Sequence, residues 1–134
     1  MSAILDMLAA ANAARARAYA PYSNFAVGAC FKGKSGRLYA GCNVENAAYP
    51  QSQCAEATAI GVMVAAGETA IAEILVVADS LEPVSPCGGC RQRLREFAGP
   101  DTPVYLCGLD GLRRTVTLGE LLPMSFGPRH LERS

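Results

Sequence analysis

Apolar positions recur along the chain in distinct rhythms, and each rhythm predicts a kind of element. Within residues 2–20, Ile4, Leu5, Leu8 and Ala11 return at a spacing near the helical repeat in an Ala-rich stretch that holds no Pro, which predicts an amphipathic helix running up to Pro21. Residues 26–32 and 38–43 are short β-like runs on either side of Gly33-Lys34-Ser35-Gly36, a turn cluster, and predict a hairpin. Residues 54–66 lack Pro and place Ala57, Ile60 and Val64 at helical spacing, so a helix is expected there, stopping at Gly67. Residues 74–78 are continuously apolar, as a strand buried on both faces would be. A short helix over 90–97, a second buried strand over 103–107 and a last strand over 115–117 complete the order α-β-β-α-β-α-β-β. That order predicts an α/β fold with three α/β/α layers, a mixed five-stranded sheet covered by helices, spanning residues 1–134 as a single domain.

The chain has 134 residues, enough for one hydrophobic core of ordinary size. Lys plus Arg number 12 and Asp plus Glu number 12, a formal net charge of zero, which argues against a phosphate-backbone partner. The nearest basic groups, Arg91, Arg93, Arg95 and Arg113-Arg114, are short and balanced by nearby acids. Hydrophobic residues make up 51% and charged residues 18%, too apolar for disorder, while no uncharged run approaches the roughly 18 residues of a membrane span. Asp6 stands where a secretory signal would carry positive charge, so a cytoplasmic location is expected, with no nucleic acid and no membrane as partner.

Six cysteines in a chain of this length suggest a disulfide framework only in a secreted protein too small to build a core, and neither condition is met. Metal ligation is the better expectation. In Pro86-Cys87-Gly88-Gly89-Cys90 the two glycines let the backbone turn tightly enough for both sulfurs to face one point. A closed structural site would need a second C-x-x-C or a His pair, and the only histidine is His130, expected on the surface of the tail. Cys30, Cys42 and Cys107 sit in apolar or β-like stretches and are expected to be small core residues. Cys54-Ala55-Glu56 opens one predicted helix and Cys87 the other, and positive helix N-termini favour thiolates over thiols. Three thiolates would hold a catalytic zinc with its fourth position left to water, and Glu56 would stand beside that water without being a ligand. A structural zinc or a redox pair is the alternative for the cysteines, and dipole stabilisation in a first helical turn is the alternative for Glu56.

Cys-Ala-Glu together with Pro-Cys-x-x-Cys is the signature of zinc nucleobase deaminases in its three-cysteine form. The chain resembles the small cytidine deaminase family along nearly its whole length. Pro21-Tyr22-Ser23-Asn24-Phe25 with Val27-Gly28-Ala29 resembles that family's N-terminal substrate segment, Asn43-Val44-Glu45-Asn46-Ala47 its ribose-binding segment, and Cys54-Ala55-Glu56 and Pro86-Cys87-Gly88-Gly89-Cys90-Arg91-Gln92 its zinc motifs. Leu121-Leu122-Pro123 and Phe126-Gly127-Pro128 resemble its C-terminal motif. The resemblance implies one Zn²⁺ per chain on Cys54, Cys87 and Cys90, and hydrolysis of cytidine and 2′-deoxycytidine to uridine and 2′-deoxyuridine by a zinc-bound hydroxide, in pyrimidine salvage. It implies that Glu56 shuttles protons, that Asn43 and Glu45 bind sugar hydroxyls, and that Phe25 packs on base or sugar. By the same resemblance the Ala55 amide would hold the pyrimidine O2, the Ser85 carbonyl would take the exocyclic amine, and Tyr49 and Phe126 would reach a neighbouring subunit's site in a homotetramer. The alternatives are a deaminase of a cytosine-containing antibiotic or nucleoside analogue, resembling the blasticidin deaminases, and a non-catalytic zinc-stabilised interaction module.

One departure carries chemistry. Many three-cysteine members place an Arg after Cys-Ala-Glu, and here Ala57 stands in that position. Two thiolates neutralise Zn²⁺ and the third leaves an excess negative charge, for which Gln53, Arg91, Gln92 and the helix amides are the expected donors.

Overall fold

The computed structural model describes residues 2–131 and is built on a five-stranded sheet of order β2-β1-β3-β4-β5. The strands are β1 (Val27–Gly33), β2 (Leu38–Cys42), β3 (Ile71–Ala78), β4 (Pro103–Gly108) and β5 (Gly111–Thr117). The helices are α1 (Ser2–Arg15), α2 (Ala55–Ala65), α3 (Gly88–Arg95) and the short α4 (Leu118–Leu121). β1 pairs antiparallel with β2 and β3, and β4 antiparallel with β5. Only β3 and β4 run parallel, so the chain between them must cross back over the sheet, and that crossover carries α3.

Side-chain alternation along the strands divides the core in two. Ala29, Phe31, Ile74, Val76, Val104 and Leu106 face Ala59 and Met63 of α2 and Leu94 of α3. Cys30, Leu75, Val77 and Cys107 face Met7 and Ala11 of α1. The result is the expected three-layer α/β/α arrangement with a mixed sheet. Met7, Met63 and Leu94 are fully buried, and burial of a side chain of that size contributes about 1.5–3 kcal/mol. Two glycines set the distance between layers. A Cβ on Gly28 would lie 2.1 Å from the Ala11 carbonyl oxygen of α1, and one on Gly41 would lie 2.5 Å from the Ala59 amide nitrogen of α2.

Several boundaries differ from the sequence expectation. α1 ends at Arg15, well before Pro21, because the Tyr19 amide donates to the Asn43 carbonyl and the Glu45 amide to the Tyr19 carbonyl. β3 begins at Ile71 and β5 at Gly111, both earlier than the apolar runs suggest. β5 is an edge strand in which Leu112 and Arg114 are exposed and Gly111 and Arg113 only half-buried, so its first half carries no buried run. α4 is started by a reciprocal capping box between Thr117 and Glu120. Cys30 and Cys107 are buried as expected, and burial pushes their thiols up to about 12 and about 11. Cys42, on the edge strand β2, is only half-buried. Among the described residues no helix is long and apolar enough to cross a membrane.

Candidate active site

α2 and α3 each begin on a cysteine. Cys54 is the N-cap of α2 and Cys87 the N-cap of α3, both in extended backbone conformation, and neither side chain makes a capping hydrogen bond. Gly88 and Gly89 fill the first two positions of α3, and Cys90 follows in its first turn, buried. The three Sγ atoms lie within 4.8 Å of one another, with Cys54 and Cys87 3.9 Å apart. Tetrahedral zinc with Zn–S bonds of about 2.3 Å requires sulfurs about 3.8 Å apart. The cluster therefore fits one Zn²⁺ per chain, and two helix N-termini favour the thiolate form needed to bind it. Hydrogen bonding from Cys90 brings the Cys54 thiol down to about 6, and the same interaction raises Cys90.

Glu56, the second residue of α2, is 4% exposed. Burial is the main cause that pushes its carboxyl up to about 7, with the neighbouring Cys54 charge adding to it and the Arg93 charge opposing it. A carboxyl that titrates near neutral pH can both take and return a proton there.

A cavity of about 280 Å³ opens beside these groups, close to the lower end of the size range of small-molecule sites. Cys54, Ala55, Glu56 and Cys87 form one wall, Phe25, Val27 and Asn43 another, and Val76, Val84 and Ser85 close it. Of the residues singled out in the sequence, the structure thus brings together Phe25, Asn43, Cys54, Ala55, Glu56, Ser85 and Cys87, with Cys90 behind them in the sulfur cluster. Asn43 holds the first of these loops in place: its Oδ1 accepts from the Val27 amide at 2.9 Å and its Nδ2 donates to the Phe25 carbonyl at 2.8 Å. Ala55 is the first residue of α2, so its amide has no acceptor within the helix. Arg91 holds the opposite wall, donating to the Pro86 carbonyl at 2.7 Å, the Leu121 carbonyl at 2.8 Å and the Ser85 hydroxyl at 2.9 Å.

Three sequence candidates lie apart from the sulfurs. Glu45 and Tyr49 line an adjacent hollow of about 370 Å³ with Tyr22, Ser23 and Ser52. The Glu45 carboxylate accepts from the Ser23 hydroxyl and from the amides of Tyr22 and Ser23, which holds its pKa below the usual range. Tyr49 makes an edge-on contact with Tyr22. Phe126 follows α4 and stacks on His130, which is exposed as expected.

The side chains expected to donate to the sulfurs are engaged elsewhere. Gln53 donates to the Thr58 hydroxyl, Gln92 to the Phe126 carbonyl, and Arg91 to the three oxygens above. Gln92 lies two positions beyond Cys90, off the helical face that carries the sulfur. The residue the sequence reading passed over is Arg93, whose Nη1 donates to Cys90 Sγ at 3.9 Å. Its spacing of three from Cys90 on a predicted helix was the available signal.

Residues 1–107 match the family model of the cytidine and deoxycytidylate deaminase zinc-binding region. The chain belongs to this deaminase family. Within it, the cytidine deaminase of Sporosarcina psychrophila is 44% identical over 125 residues, covering 93% of this chain and 92% of that protein. The cytidine deaminase of Halalkalibacterium halodurans is 46% identical over 113 residues, covering 84% and 86%. The crystal structure of the Burkholderia pseudomallei cytidine deaminase shares the fold with a TM-score of 0.86 at 44% identity, covering 91% of this chain and 98% of that one. Sequence match and fold point to the same family.

Proposed function

We propose that the chain deaminates cytidine and 2′-deoxycytidine hydrolytically to uridine and 2′-deoxyuridine with release of ammonia. The observation that carries this reading is a buried carboxyl, Glu56, in the same cavity as sulfurs of a three-thiolate cluster that fits zinc. Zinc, when bound, supplies Lewis-acid activation of water. Addition of water at C4 and loss of the amine require one water proton to reach N3 and the other to reach the leaving nitrogen. Glu56 carries both, as base and then as acid, and its raised pKa suits the two tasks.

The remaining residues bind and orient. The free amide of Ala55 donates to the pyrimidine O2, the Ser85 carbonyl accepts from the exocyclic amine, and Phe25 packs on the base or sugar. Asn43 uses one amide hydrogen on Phe25 and keeps a second for a sugar hydroxyl, while Glu45, already accepting three hydrogen bonds, retains acceptor capacity for another. The carboxylate of Glu45 disfavours a phosphate at the sugar, and the zero net charge gives no basic channel for a polynucleotide. Tyr49 and Phe126 are 70% and 56% exposed, which supports a homotetramer in which they reach a neighbour's site. A single domain over residues 1–134, acting in cytoplasmic pyrimidine salvage, belongs to the same reading.

The test is direct. Zinc-loaded protein added to cytidine is expected to abolish cytidine absorbance while releasing one ammonia per uridine formed, and to act on 2′-deoxycytidine likewise. Absence of turnover with zinc bound would make the chain an interaction module. Equal or faster reaction of CMP, or of cytosine in single-stranded DNA, would overturn the free-nucleoside assignment.

A further inference from the structure

Charge balance at the cluster poses a problem that the cavity residues do not solve. Three thiolates around a divalent ion leave one excess negative charge, and Cys90 carries its share while buried. An uncompensated charge away from water is costly, so a positive group within reach of the sulfurs is required. The three arginines of α3 divide cleanly. Arg91 is spent on two carbonyls and a hydroxyl, and Arg95 donates to the Ser125 hydroxyl at 2.9 Å. Arg93 has Cys90 Sγ as its hydrogen-bond acceptor, and among the described residues it enters no ion pair with a carboxylate. Its side chain folds back toward the helix start, where a Cβ added to Gly89 would lie 3.6 Å from Nη1. That is ordinary van der Waals distance, so the guanidinium lies against the first turn of α3. Cys90 and Arg93, three apart on one helix, share a face.

We propose that Arg93 is the positioning residue of the metal centre: its guanidinium, hydrogen-bonded to Cys90 Sγ, neutralises the third thiolate and tempers sulfur donation to zinc. This rests on the reading of the cluster as a three-thiolate zinc site. Arginine suits the role because it stays charged at every working pH and directs a planar N–H at the sulfur. Partners that hydrogen-bond metal ligands typically govern metal affinity by about 10–100-fold.

The experiment compares the parent with Arg93→Met, which keeps length and removes charge, and Arg93→Lys, which keeps charge. Zinc affinity is read by competition with a chromophoric chelator, and sulfur donation by the thiolate-to-metal charge-transfer band of the Co²⁺-substituted protein. Arg93→Met is expected to bind zinc about 10–100-fold more weakly and to move the charge-transfer band to lower energy, with Arg93→Lys recovering most of both. An Arg93→Met protein with parental zinc affinity and an unmoved band overturns the proposal. So does a loss that Arg93→Lys fails to recover, because helix packing and not charge would then explain it. A parent without thiolate-to-cobalt bands would show that the zinc reading itself is wrong, whereas parental bands with an inert Arg93 would leave that reading intact and reject only the role of Arg93.

Discussion

Gly41→Ala tests whether the sheet holds the active site in register. Gly41 is buried in β2, directly beneath the first turns of α2. A Cβ there would stand 2.5 Å from the Ala59 amide nitrogen, 2.9 Å from the Ala55 carbonyl oxygen and 2.9 Å from the Thr58 Cβ. Ordinary contact begins at 3.4 Å, so α2 must retreat by about 0.9 Å, the difference between 3.4 and 2.5. Two of the three obstructing atoms are helix backbone and cannot rotate aside. Overpacking of this kind costs about 1–3 kcal/mol, and the backbone contacts place this case near 3 kcal/mol. At roughly 4 °C per kcal/mol for a domain of this size, the melting temperature should fall by about 12 °C. Metal–ligand distances tolerate about 0.2 Å, so a retreat of Cys54 with its helix should also lower zinc content. Thermal unfolding by circular dichroism, with zinc and with chelator, together with metal analysis, measures both effects. Gly61→Ala is the matched control: it lies on the same helix with nothing within 4 Å of an added Cβ, and should be neutral or slightly stabilising. A Gly41→Ala protein that melts within about 2 °C of the parent and keeps its zinc would refute the reasoning.

Glu56→Gln should retain zinc and lower kcat by about 10²–10⁴-fold; near-parental turnover in a steady-state assay would remove Glu56 from the proton path. Arg91→Lys replaces a fork serving three acceptors by a point charge, and should lower the unfolding free energy in urea by about 2 kcal/mol, an equal value to the parent's contradicting it. The Glu68 carboxylate accepts from the Ser35 hydroxyl at 2.6 Å, the Ser35 amide at 2.9 Å and the Tyr39 hydroxyl at 2.7 Å, the Ser35 hydroxyl being the main cause that holds its pKa down. A lowered folded pKa stabilises above the unfolded value, near 4.3, and that contribution is lost as pH falls through the folded value. The melting-temperature gap between the parent and Glu68→Gln should therefore be full at neutral pH and close below about pH 4, and a gap independent of pH would disprove it.

Elements buried by their own apolar runs were the legible ones. The hairpin, α2, β4 and the core of β3 stand close to where the sequence puts them, because each carries the side chains that fill one of the two core layers. α1 was overrun for a different reason. Residues 16–20 are as Ala-rich as the helix before them, and only the distant backbone of Asn43 and Glu45, by pairing with Tyr19, draws the chain out of helical conformation. Local propensity holds no record of such a partner. The convergence of Cys54, Cys87 and Cys90 and the burial of Glu56 beside them were legible because metal chemistry restricts both residue type and spacing. Placement of Glu45 and Tyr49 in a separate hollow was not, since a segment motif fixes order along the chain and not which side of a loop each residue faces.

The arginine cluster of α3 shows where composition misleads and helical phase informs. Arg91, Arg93 and Arg95 resemble a solvated basic face in sequence, yet each occupies a different environment: the cavity wall, a ligand sulfur and the segment after α4. The division follows from the start of the helix. Cys87 is the cap, so Cys90 falls in the first turn with its sulfur turned toward Cys54, and of the three arginines only Arg93, three further on, shares the face of that sulfur. The Cys54 and Cys87 side chains make no capping hydrogen bond, so their thiolates meet the positive helix ends through the dipole alone, and the helix ends and the metal draw on the same negative charges. Loss of metal should consequently loosen the first turns of α2 and α3 together. The sheet contact at Gly41 and the guanidinium of Arg93 act on the two sides of that junction, one fixing where Cys54 stands and the other fixing the charge at Cys90.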